Sequence, residues 1–545
     1  MPVKSSLLAM LMIVSVAGPL PAKETIDNRA VADPITLSSD HLEAVNRRRR
    51  IIFQDDVLTG PFRRDVTGKE QLSEIIEYYM SRLDGHSNQI DSVWHEWGEG
   101  NTAVWPSKFL PCTKNVFPKW WATGVDPVDV LLQENRKRGQ EVFFSYRMNG
   151  SDNDPEFDPP HPYEKPVPFK AEHPEWLIQK WHAYWNFAVP EVRELKLNVL
   201  REVAENYEFD GIQLDFARMP ILFPDGQQWS HRDLLTDFVR QVRLALLSIE
   251  KQRGRPFLLA ARVPGNLMGC HFDGMDIETW AHEGLVDILV LGSRSSEVDM
   301  GAMRQATTGT PVKLYPCWTE LHSSDGYNQA PIEVYRGVYA NWWHQKPDGV
   351  HTFNLFEGWS QTARSRGLPA PERWEKQCQI YREIGSPETL AGLDKVFFAQ
   401  RRGGGHAPAV VPSPGNWHTP RQMYFLSNML APLPATLADD GMADTLLTLQ
   451  VADDVNAATE TIEEITLRLL LSDPAAKGLE VRINNLLLGP GHIQGHWLVF
   501  PVPPAYLAVG DNLVGVKTAP RPSDEGNAIQ INKLELHVDY QAQNP

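Results

Sequence analysis

Cysteine, positive charge and long apolar stretches are all scarce in this 545-residue sequence. None of its four cysteines forms a C-x-x-C pair, which argues against a thiolate zinc site. The 52 lysines and arginines are outnumbered by 69 aspartates and glutamates, and the net charge of −17 argues against a nucleic-acid partner. Because no stretch approaches about 18 uninterrupted apolar residues, no membrane insertion is expected.

Common reaction motifs are missing as well. No glycine-rich phosphate loop follows the first predicted strand, and neither a serine-centred nucleophile elbow nor a His-x-x-x-His helix is present. The sequence therefore predicts no cofactor and no metal. If an exported chain joins two of its cysteines, Cys270 and Cys317 are the pair to expect, but sequence alone decides neither this nor the oligomeric state.

The N-terminus has the pattern of a secretory signal over residues 1–22. Lys4 supplies a positive charge, residues 7–17 are apolar, and small residues before Lys23 suit cleavage. An apolar run of about 11 residues is too short to cross a bilayer. We expect a secreted or periplasmic protein.

Short apolar runs alternate with amphipathic helical patterns over residues 45–390. The runs are residues 50–56, 91–97, 141–147, 209–216, 256–262, 286–292, 312–318 and 349–356. Eight such alternations predict an α/β fold, a (β/α)8 TIM barrel, with parallel strands buried on both faces. The alternative is a doubly wound open sheet, which the missing phosphate loop disfavours.

A change in composition separates this region from the C-terminal part. Residues 391–421, rich in glycine and proline near residues 402–420, predict a linker or long surface loop. Short β runs separated by turns then predict an accessory β-sandwich over residues 422–545. A chain ending near residue 390 is expected to keep some turnover on small substrates, unless the sandwich covers apolar barrel surface.

Reactive side chains follow the predicted strands. In TIM barrels the active site lies at the C-terminal ends of the strands. The candidates there are Asp55, Asp56, His95, Glu96, Arg147, Asp215, Arg218, Arg262, Glu297, Trp318, Glu320, Asn354 and Glu357. Cleavage of a glycosidic bond needs two carboxyl groups, and the 17 tryptophans suit stacking on sugar rings.

Asp215 is the strongest single candidate because it closes the fourth apolar run. Alternation places Gln213 and Asp215 on one side of that strand. A buried ionisable group is costly unless it is paired or functional. An ion pair with Arg218 that only fixes the loop is the structural alternative, and Asp210 reads as a cap before the strand.

Three segments resemble the family-10-like glycosyl hydrolases, a group of exported bacterial barrel proteins. They are HPEWL at residues 173–177, WNFAVPEVR at residues 185–193 and DGIQLDFARMP at residues 210–220. The resemblance implies a barrel and a glycosidase reaction class. It also implies that Asp215 occupies the position of a strand-four catalytic carboxylate in related barrels.

The second carboxyl is predicted to be Glu320. It follows the seventh strand closely and lies beside Trp318, where desolvation would keep it protonated as a general acid. Its oxygens are then expected within about 10 Å of those of Asp215. Glu297, Glu357 and Asp273 are the alternatives.

Other rim residues are predicted to bind substrate. His95 and Glu96 suit a sugar subsite or loop packing, and Trp318 suits a stacking platform or the core. Arg147 and Arg262 suit an acidic sugar, or ion pairs with Asp55, Asp56 or Asp215. The remaining predicted substrate contacts are Asp55, Asp56, Arg218, Asn354 and Glu357.

These patterns favour an exported glycoside hydrolase acting on a poly- or oligosaccharide. One alternative is a non-catalytic glycan-binding protein on a TIM-barrel scaffold. Another is a metal-assisted hydrolase using Asp55, Asp56 and a histidine.

Overall fold

The computed structural model describes most of the chain after residue 33. The described residues are 34–56, 69–84, 89–97, 101–111, 116–150, 168–179, 183–293, 295–319, 327, 330–355, 371–401, 431–438, 440–473, 478–520 and 528–541. The predicted signal segment, residues 1–22, lies outside them.

Strands and helices alternate through the first part of the chain. The strands there are β1 (Ile51–Asp56), β2 (Ile90–Glu96), β3 (Glu141–Arg147), β4 (Leu177–Gln179), β5 (Ala183–Trp185), β6 (Gly211–Asp215), β7 (Leu258–Val263), β8 (Ile288–Leu291), β9 (Lys313–Trp318) and β10 (Val350–Phe353). The helices are α1 (Ser39–Asn46), α2 (Lys69–Asp84), α3 (Val116–Ala122), α4 (Pro127–Lys137), α5 (Pro168–Ala171), α6 (Pro190–Asn206), α7 (Arg232–Arg253), α8 (Leu267–Phe272), α9 (Ile277–His282), α10 (Met300–Ala306), α11 (Ile332–His344), α12 (Pro371–Glu383) and α13 (Pro387–Leu390).

Eight parallel strands close into a barrel in the order β1-β2-β3-β6-β7-β8-β9-β10. Strand β10 pairs with β1 and completes the ring. Each of the eight predicted apolar runs contains one of these strands to within a residue at either end, so the predicted TIM barrel is confirmed. The short β4–β5 hairpin lies outside the ring.

Local sequence signals fix the helix boundaries. Asp126 caps α4 by accepting a hydrogen bond from Val128 N at 2.9 Å, and Pro127 occupies the first helical position. Helix α7 ends at Gly254, whose φ of +67° is the left-handed conformation that glycine adopts without strain.

The barrel axis is filled by inward-facing side chains. Trp94 and Phe143 stack with ring centroids 4.5 Å apart. They belong to a buried cluster that includes Ile52, Tyr315 and Phe353. Because side chains alternate along a strand, every second residue above this apolar layer also faces the interior. The interior is therefore closed below and polar toward the C-terminal ends of the strands.

The C-terminal part is antiparallel. Its strands are β11 (Lys395–Phe398), β12 (Ala435–Thr436), β13 (Thr445–Val451), β14 (Ile462–Leu471), β15 (Glu480–Ile483), β16 (Leu486–Leu487), β17 (His492–Gln494), β18 (Trp497–Pro501), β19 (Gly510–Lys517) and β20 (Gln530–Tyr540). One sheet has the order β11-β20-β14-β18-β17 with β12 beside β20, and the other has the order β13-β19-β15-β16. The predicted smaller all-β domain is thus confirmed.

Strand β11 departs from the predicted boundary. Residues 395–398 fall inside the predicted linker, yet they pair with β20 and belong to the β domain. They also lie against α11, where a Cβ on Gly337 would come within 2.1 Å of Val396 O. Residues 402–430 of the predicted linker lie outside the described residues.

The Cys270–Cys317 pairing that the sequence left open is not present among the described residues. Cys270 and Cys317 are both buried free thiols. Cys317 faces the barrel interior, 3.2 Å from His351 Nδ1, whereas Cys270 lies on α8 outside the ring. No described helix is long and apolar enough to cross a bilayer.

Candidate active site

Three acidic side chains end neighbouring barrel strands. Asp56 ends β1, Glu96 ends β2 and Asp215 ends β6. In the strand register Asp56 is opposite Glu96, and Arg147 on β3 is opposite Asp215. Glu96 is 1% exposed and Asp215 is fully buried. The C-terminal end of the barrel therefore holds two deeply buried carboxyl groups on opposite sides of β3.

Asp215 is held through one oxygen. Its Oδ1 accepts hydrogen bonds from Arg262 Nε and from the backbone amide of Arg218, both at 2.9 Å. Its Oδ2 is buried and makes no hydrogen bond within the described part of the chain. The ion-pair partner is thus Arg262 rather than the predicted Arg218, which contributes a backbone N–H. The second oxygen is left for chemistry or for a bound molecule.

Glu96 lies in a different electrostatic environment. Burial raises its pKa well above the usual range, and the negative charges of Asp215 and Asp56 raise it further. Arg147, whose Nε lies 4.0 Å from Glu96 Oε2, offsets this only in part, as does the Ser145 hydroxyl. This balance of forces favours the protonated carboxyl over the ionised one.

Arg147 and Asn354 fix the position of Asp56. Arg147 Nη2 pairs with Asp56 Oδ1 at 2.6 Å. Asn354 Nδ2 donates to Asp56 Oδ2 at 2.8 Å, and Asp56 N donates to Asn354 Oδ1 at 2.9 Å. Arg147 and Arg262 thus form the ion pairs that the sequence leaves open as alternatives to substrate binding. Both guanidinium groups lie over the ring of Phe353, at 5.9 and 4.3 Å.

Asp55 and His95 face away from this interior, which corrects their prediction as substrate-binding residues. Asp55 accepts a hydrogen bond from Tyr79 on α2 and lies 3.2 Å from His95 Nδ1. Asn135 on α4 approaches His95 Nε2 at 3.0 Å. Because alternation turns Asp55 and Asp56 to opposite faces of β1, the two cannot share a metal ion as the metal-assisted alternative requires.

Trp318 is likewise not a stacking platform. It is fully buried and packs against Tyr335 of α11, with ring centroids 5.5 Å apart. Its neighbour Cys317 faces the interior, so alternation turns Trp318 toward the helices. The prediction fails because a strand-end position does not reveal which face a residue occupies.

The predicted second carboxyl, Glu320, and the substrate candidate Glu357 lie outside the described residues. Glu297 lines a cavity of about 400 Å³ together with residues of α11 and with Asp511 of the β domain. Asp273 caps the end of α8, where burial raises its pKa well above the usual range. Neither of these alternatives contacts Asp215.

A polar layer, of which the sequence interpretation recognised only Gln213, lies just below the carboxyls. Gln54, Ser145 and Gln213 are all buried and form hydrogen bonds to one another across the interior. Each comes two residues before a predicted rim residue: Asp56, Arg147 and Asp215 respectively. The period of two was therefore the signal that could have identified them.

Two of the three segments with family resemblance flank the β4–β5 hairpin beside the barrel, and the third contains β6. Trp185 on β5 is anchored by Asn149, which follows β3, through hydrogen bonds of 2.8 and 3.0 Å. Trp176 is half-buried and stacks on His173 with ring centroids 3.8 Å apart. These contacts attach the hairpin next to the strand that separates Glu96 from Asp215.

Comparison with known proteins gives partial matches. Glycosyl hydrolase DigH of Escherichia coli (strain K12) is 27% identical over 133 residues, which are 23% of this chain and 30% of DigH. Glycosyl hydrolase YngK of Bacillus subtilis (strain 168) is 25% identical over 205 residues, which are 34% of this chain and 37% of YngK. The chain thus spans about a third of the length of these curated relatives.

Similar solved structures include the glycoside hydrolase domain of PgaB (BpsB) from Bordetella bronchiseptica. It is 12% identical with a TM-score of 0.38, over 62% of this chain and 99% of that domain. Alpha-L-fucosidase isoenzyme 2 from Paenibacillus thiaminolyticus is 10% identical with a TM-score of 0.42. The match covers 91% of this chain and 100% of the fucosidase chain.

A family model covers the part of the barrel that carries most of the site. Residues 58–243 match the model described as glycosyl hydrolase-like 10. This range includes Glu96, Ser145, Arg147, Gln213 and Asp215. The family resemblance indicated by the sequence is therefore confirmed as a similarity to the glycosyl hydrolase-like 10 model over residues 58–243.

Proposed function

We propose that this protein is an exported glycoside hydrolase that cleaves O-glycosidic bonds of a poly- or oligosaccharide with a pair of carboxyl groups, one of which is Asp215. The glycosyl hydrolase-like match supports the reaction class. The predicted signal at residues 1–22 supports export. The single observation that carries the catalytic assignment is the buried Oδ2 of Asp215, which makes no hydrogen bond to any described residue.

Asp215 suits the ionised role in such a reaction. The Arg262 guanidinium and the Arg218 amide both donate to Oδ1 and stabilise its negative charge. With Oδ1 occupied, Oδ2 is the oxygen that attacks the anomeric carbon or takes a proton from an attacking water. Which of the two occurs depends on the separation from the second carboxyl.

The second carboxyl has to hold a proton and give it to the leaving oxygen. Glu320 stays a prediction for this role because it lies outside the described residues. The substrate contacts predicted for Arg147, Arg262 and Asn354 become indirect in this proposal. They hold Asp215 and Asp56 in place, and any direct contact with sugar comes through the remaining faces of these groups.

Substitution of Asp215 tests the proposal. Asp215→Asn keeps the shape of the side chain and removes its charge, so we expect kcat to fall at least about a thousandfold, the range seen when a catalytic group is removed. The assay is release of reducing ends from a panel of polysaccharides by the full-length protein, with thermal melting as the check on folding.

Asp210 offers a matched control on the opposite end of the same strand. Its carboxylate accepts a hydrogen bond from Val142 N at 2.9 Å and pairs with Arg255, outside the barrel interior. Asp210→Asn should therefore keep kcat within about twofold. Normal turnover by Asp215→Asn would refute the assignment. A panel that the wild-type protein binds but does not cleave would favour the non-catalytic glycan-binding alternative.

A further inference from the structure

Ser145 makes three short polar contacts at the centre of the barrel. Its Oγ lies 2.8 Å from Gln54 Nε2, 2.6 Å from Gln213 Oε1 and 2.8 Å from Glu96 Oε2. Gln54 and Gln213 come from strands on either side, so the contacts cross the interior. We call Gln54, Ser145 and Gln213 the amide–hydroxyl chain. All three residues are at most 1% exposed, and no bulk water shares these bonds.

When the hydrogens of the amide–hydroxyl chain are counted, one of the three contacts of Ser145 has no hydrogen donor. A serine hydroxyl has one hydrogen and two lone pairs. Gln54 Nε2 donates to one lone pair. Gln213 Oε1 can only accept, and the 2.6 Å separation is typical of O–H···O rather than of N–H···O, so it takes the hydroxyl hydrogen.

The third contact joins two oxygens that both need a hydrogen from elsewhere. Glu96 Oε2 lies 2.8 Å from Ser145 Oγ. Two oxygens at that distance form a hydrogen bond only if one of them carries a proton. Since the Ser145 hydrogen already serves Gln213, the proton belongs to Glu96.

The charges around Glu96 act in the same direction. Among the described residues, those that face it are Asp56 on β1, Arg147 on β3 and Asp215 on β6. Arg147 is already paired with Asp56 at 2.6 Å, and Asp215 is paired with Arg262. Burial and the two negative charges together raise the pKa of Glu96 well above its usual range.

We infer that Glu96, in place of Glu320, is the proton donor of the proposed glycosidase reaction, and that Gln213 favours its protonated state by accepting the Ser145 hydrogen. This inference rests on the proposed function. In the reaction the bond between the anomeric carbon and the leaving oxygen breaks, its electron pair goes to that oxygen, and the oxygen takes the proton of Glu96. Asp215 supplies the electron pair for the new bond, directly or through water.

The amide–hydroxyl chain explains how Glu96 regains its proton. Once Glu96 is ionised, the Ser145 hydroxyl turns from Gln213 to donate to Glu96 Oε2. This leaves the buried Gln213 Oε1 without a hydrogen bond, which is unfavourable. Uptake of a proton by Glu96 from water returns the hydroxyl to Gln213. Gln213 and Ser145 are thus positioning residues that set the proton affinity of Glu96 in opposite directions.

Glu96→Gln tests the donor role. Without a proton donor, cleavage of a polysaccharide should fall at least about a thousandfold. An aryl glycoside with an activated leaving group needs little protonation, so its cleavage should fall less than about tenfold. Equal losses on both substrates, or no loss, would overturn the inference.

Ser145→Ala and Gln213→Met test the positioning roles through the pH profile of kcat/KM. Loss of the hydroxyl removes a donor to ionised Glu96 and should move the alkaline limb up by about half to one pH unit. Loss of the Gln213 carbonyl frees the hydroxyl for ionised Glu96 and should move that limb down by a similar amount. A merely structural effect would lower activity without opposite shifts. If both variants moved the alkaline limb in the same direction, the proposed roles of Ser145 and Gln213 would be contradicted.

Infrared difference spectra separate this inference from the proposed function. The wild-type protein near neutral pH should show the C=O stretch of a neutral carboxylic acid that Glu96→Gln lacks. A missing band together with normal hydrolysis would overturn the inference alone. If the wild-type protein cleaves no glycan, the proposed function fails and the donor role fails with it, whatever the band shows.

Discussion

His41 illustrates how single side chains bury charge at the N-terminal end of the barrel. It is fully buried on α1, with Nδ1 2.6 Å from Glu250 and Nε2 3.0 Å from Asp287. Arg243 also donates to Asp287 at 2.8 Å. Burial alone lowers the pKa of His41, but the hydrogen bond and charge of Asp287, with Glu250, outweigh it and the pKa is raised.

This raised pKa predicts a pH-dependent stability. A histidine whose pKa rises on folding stabilises the protein fully below its unfolded pKa of about 6.5, and the contribution is lost as pH rises through the folded value. His41→Gln should therefore lower the Tm by roughly 2–4 °C at pH 6, with a smaller difference at alkaline pH. Thermal melting of both proteins across that range checks this. A Tm difference that grows with pH would contradict it.

Strand β1 contributes one aspartate to the helix side of the barrel and the next aspartate to the barrel interior. Asp55 binds Tyr79 and His95 on the helix side, whereas Asp56 binds Arg147 and Asn354 inside the barrel. The two aspartates are adjacent in sequence, but Asp55 faces the helices and Asp56 faces the barrel interior. Their matched substitutions can therefore separate stability from activity.

We expect Asp55→Asn and Asp56→Asn to have different effects. Asp55→Asn disrupts a buried network and should lower the free energy of unfolding by about 1–3 kcal/mol, while the catalytic parameters of the folded protein change little. Asp56→Asn releases Arg147 beside Glu96 and should lower kcat/KM about tenfold or more with little change in Tm. Melting curves and kinetics on the same preparations compare them. Identical behaviour of the two variants would refute the division.

Element-level prediction from the sequence succeeded for strand order and failed for strand faces. The eight apolar runs and their closing residues were recognisable because parallel barrel strands are buried on both sides. For the same reason, residues 51–54 and 312–318 carry no polar face that marks the solvent side. Asp215 was assigned to the interior correctly, whereas Asp55, His95 and Trp318 were not. The long-range partners, such as Ser145 with Glu96, require the closed ring and are not visible in sequence.

At the scale of the whole molecule, the β domain is built onto the barrel. Strand β11 lies between α11 and the rest of its sheet, and α11 comes close enough to leave no room for a Cβ on Gly337. We expected a chain ending near residue 390 to keep activity. This expectation holds only if the sandwich does not cover apolar barrel surface. Val338 and Trp342 of α11 are buried and line the cavity shared with that domain, so the condition is not met.

Gly337→Ala tests this attachment without truncation. The added Cβ would lie 2.1 Å from Val396 O, so either α11 or β11 has to move. We expect the free energy of unfolding to fall by about 1–3 kcal/mol, as for overpacked cores. Gly489→Ala is the matched control, since a Cβ there meets nothing within 4 Å. Equal melting temperatures for the two variants would show that the attachment tolerates displacement.

The stacked rings of Trp94 and Phe143 limit how molecules can enter and leave the site. They and their apolar neighbours plug the barrel axis, so no molecule passes from one end to the other. Anything that reaches Asp215 must arrive by the same opening through which it leaves. If the proposed glycosidase reaction occurs there, a cleaved sugar that stays bound blocks the next substrate molecule, and its inhibition should be competitive with substrate.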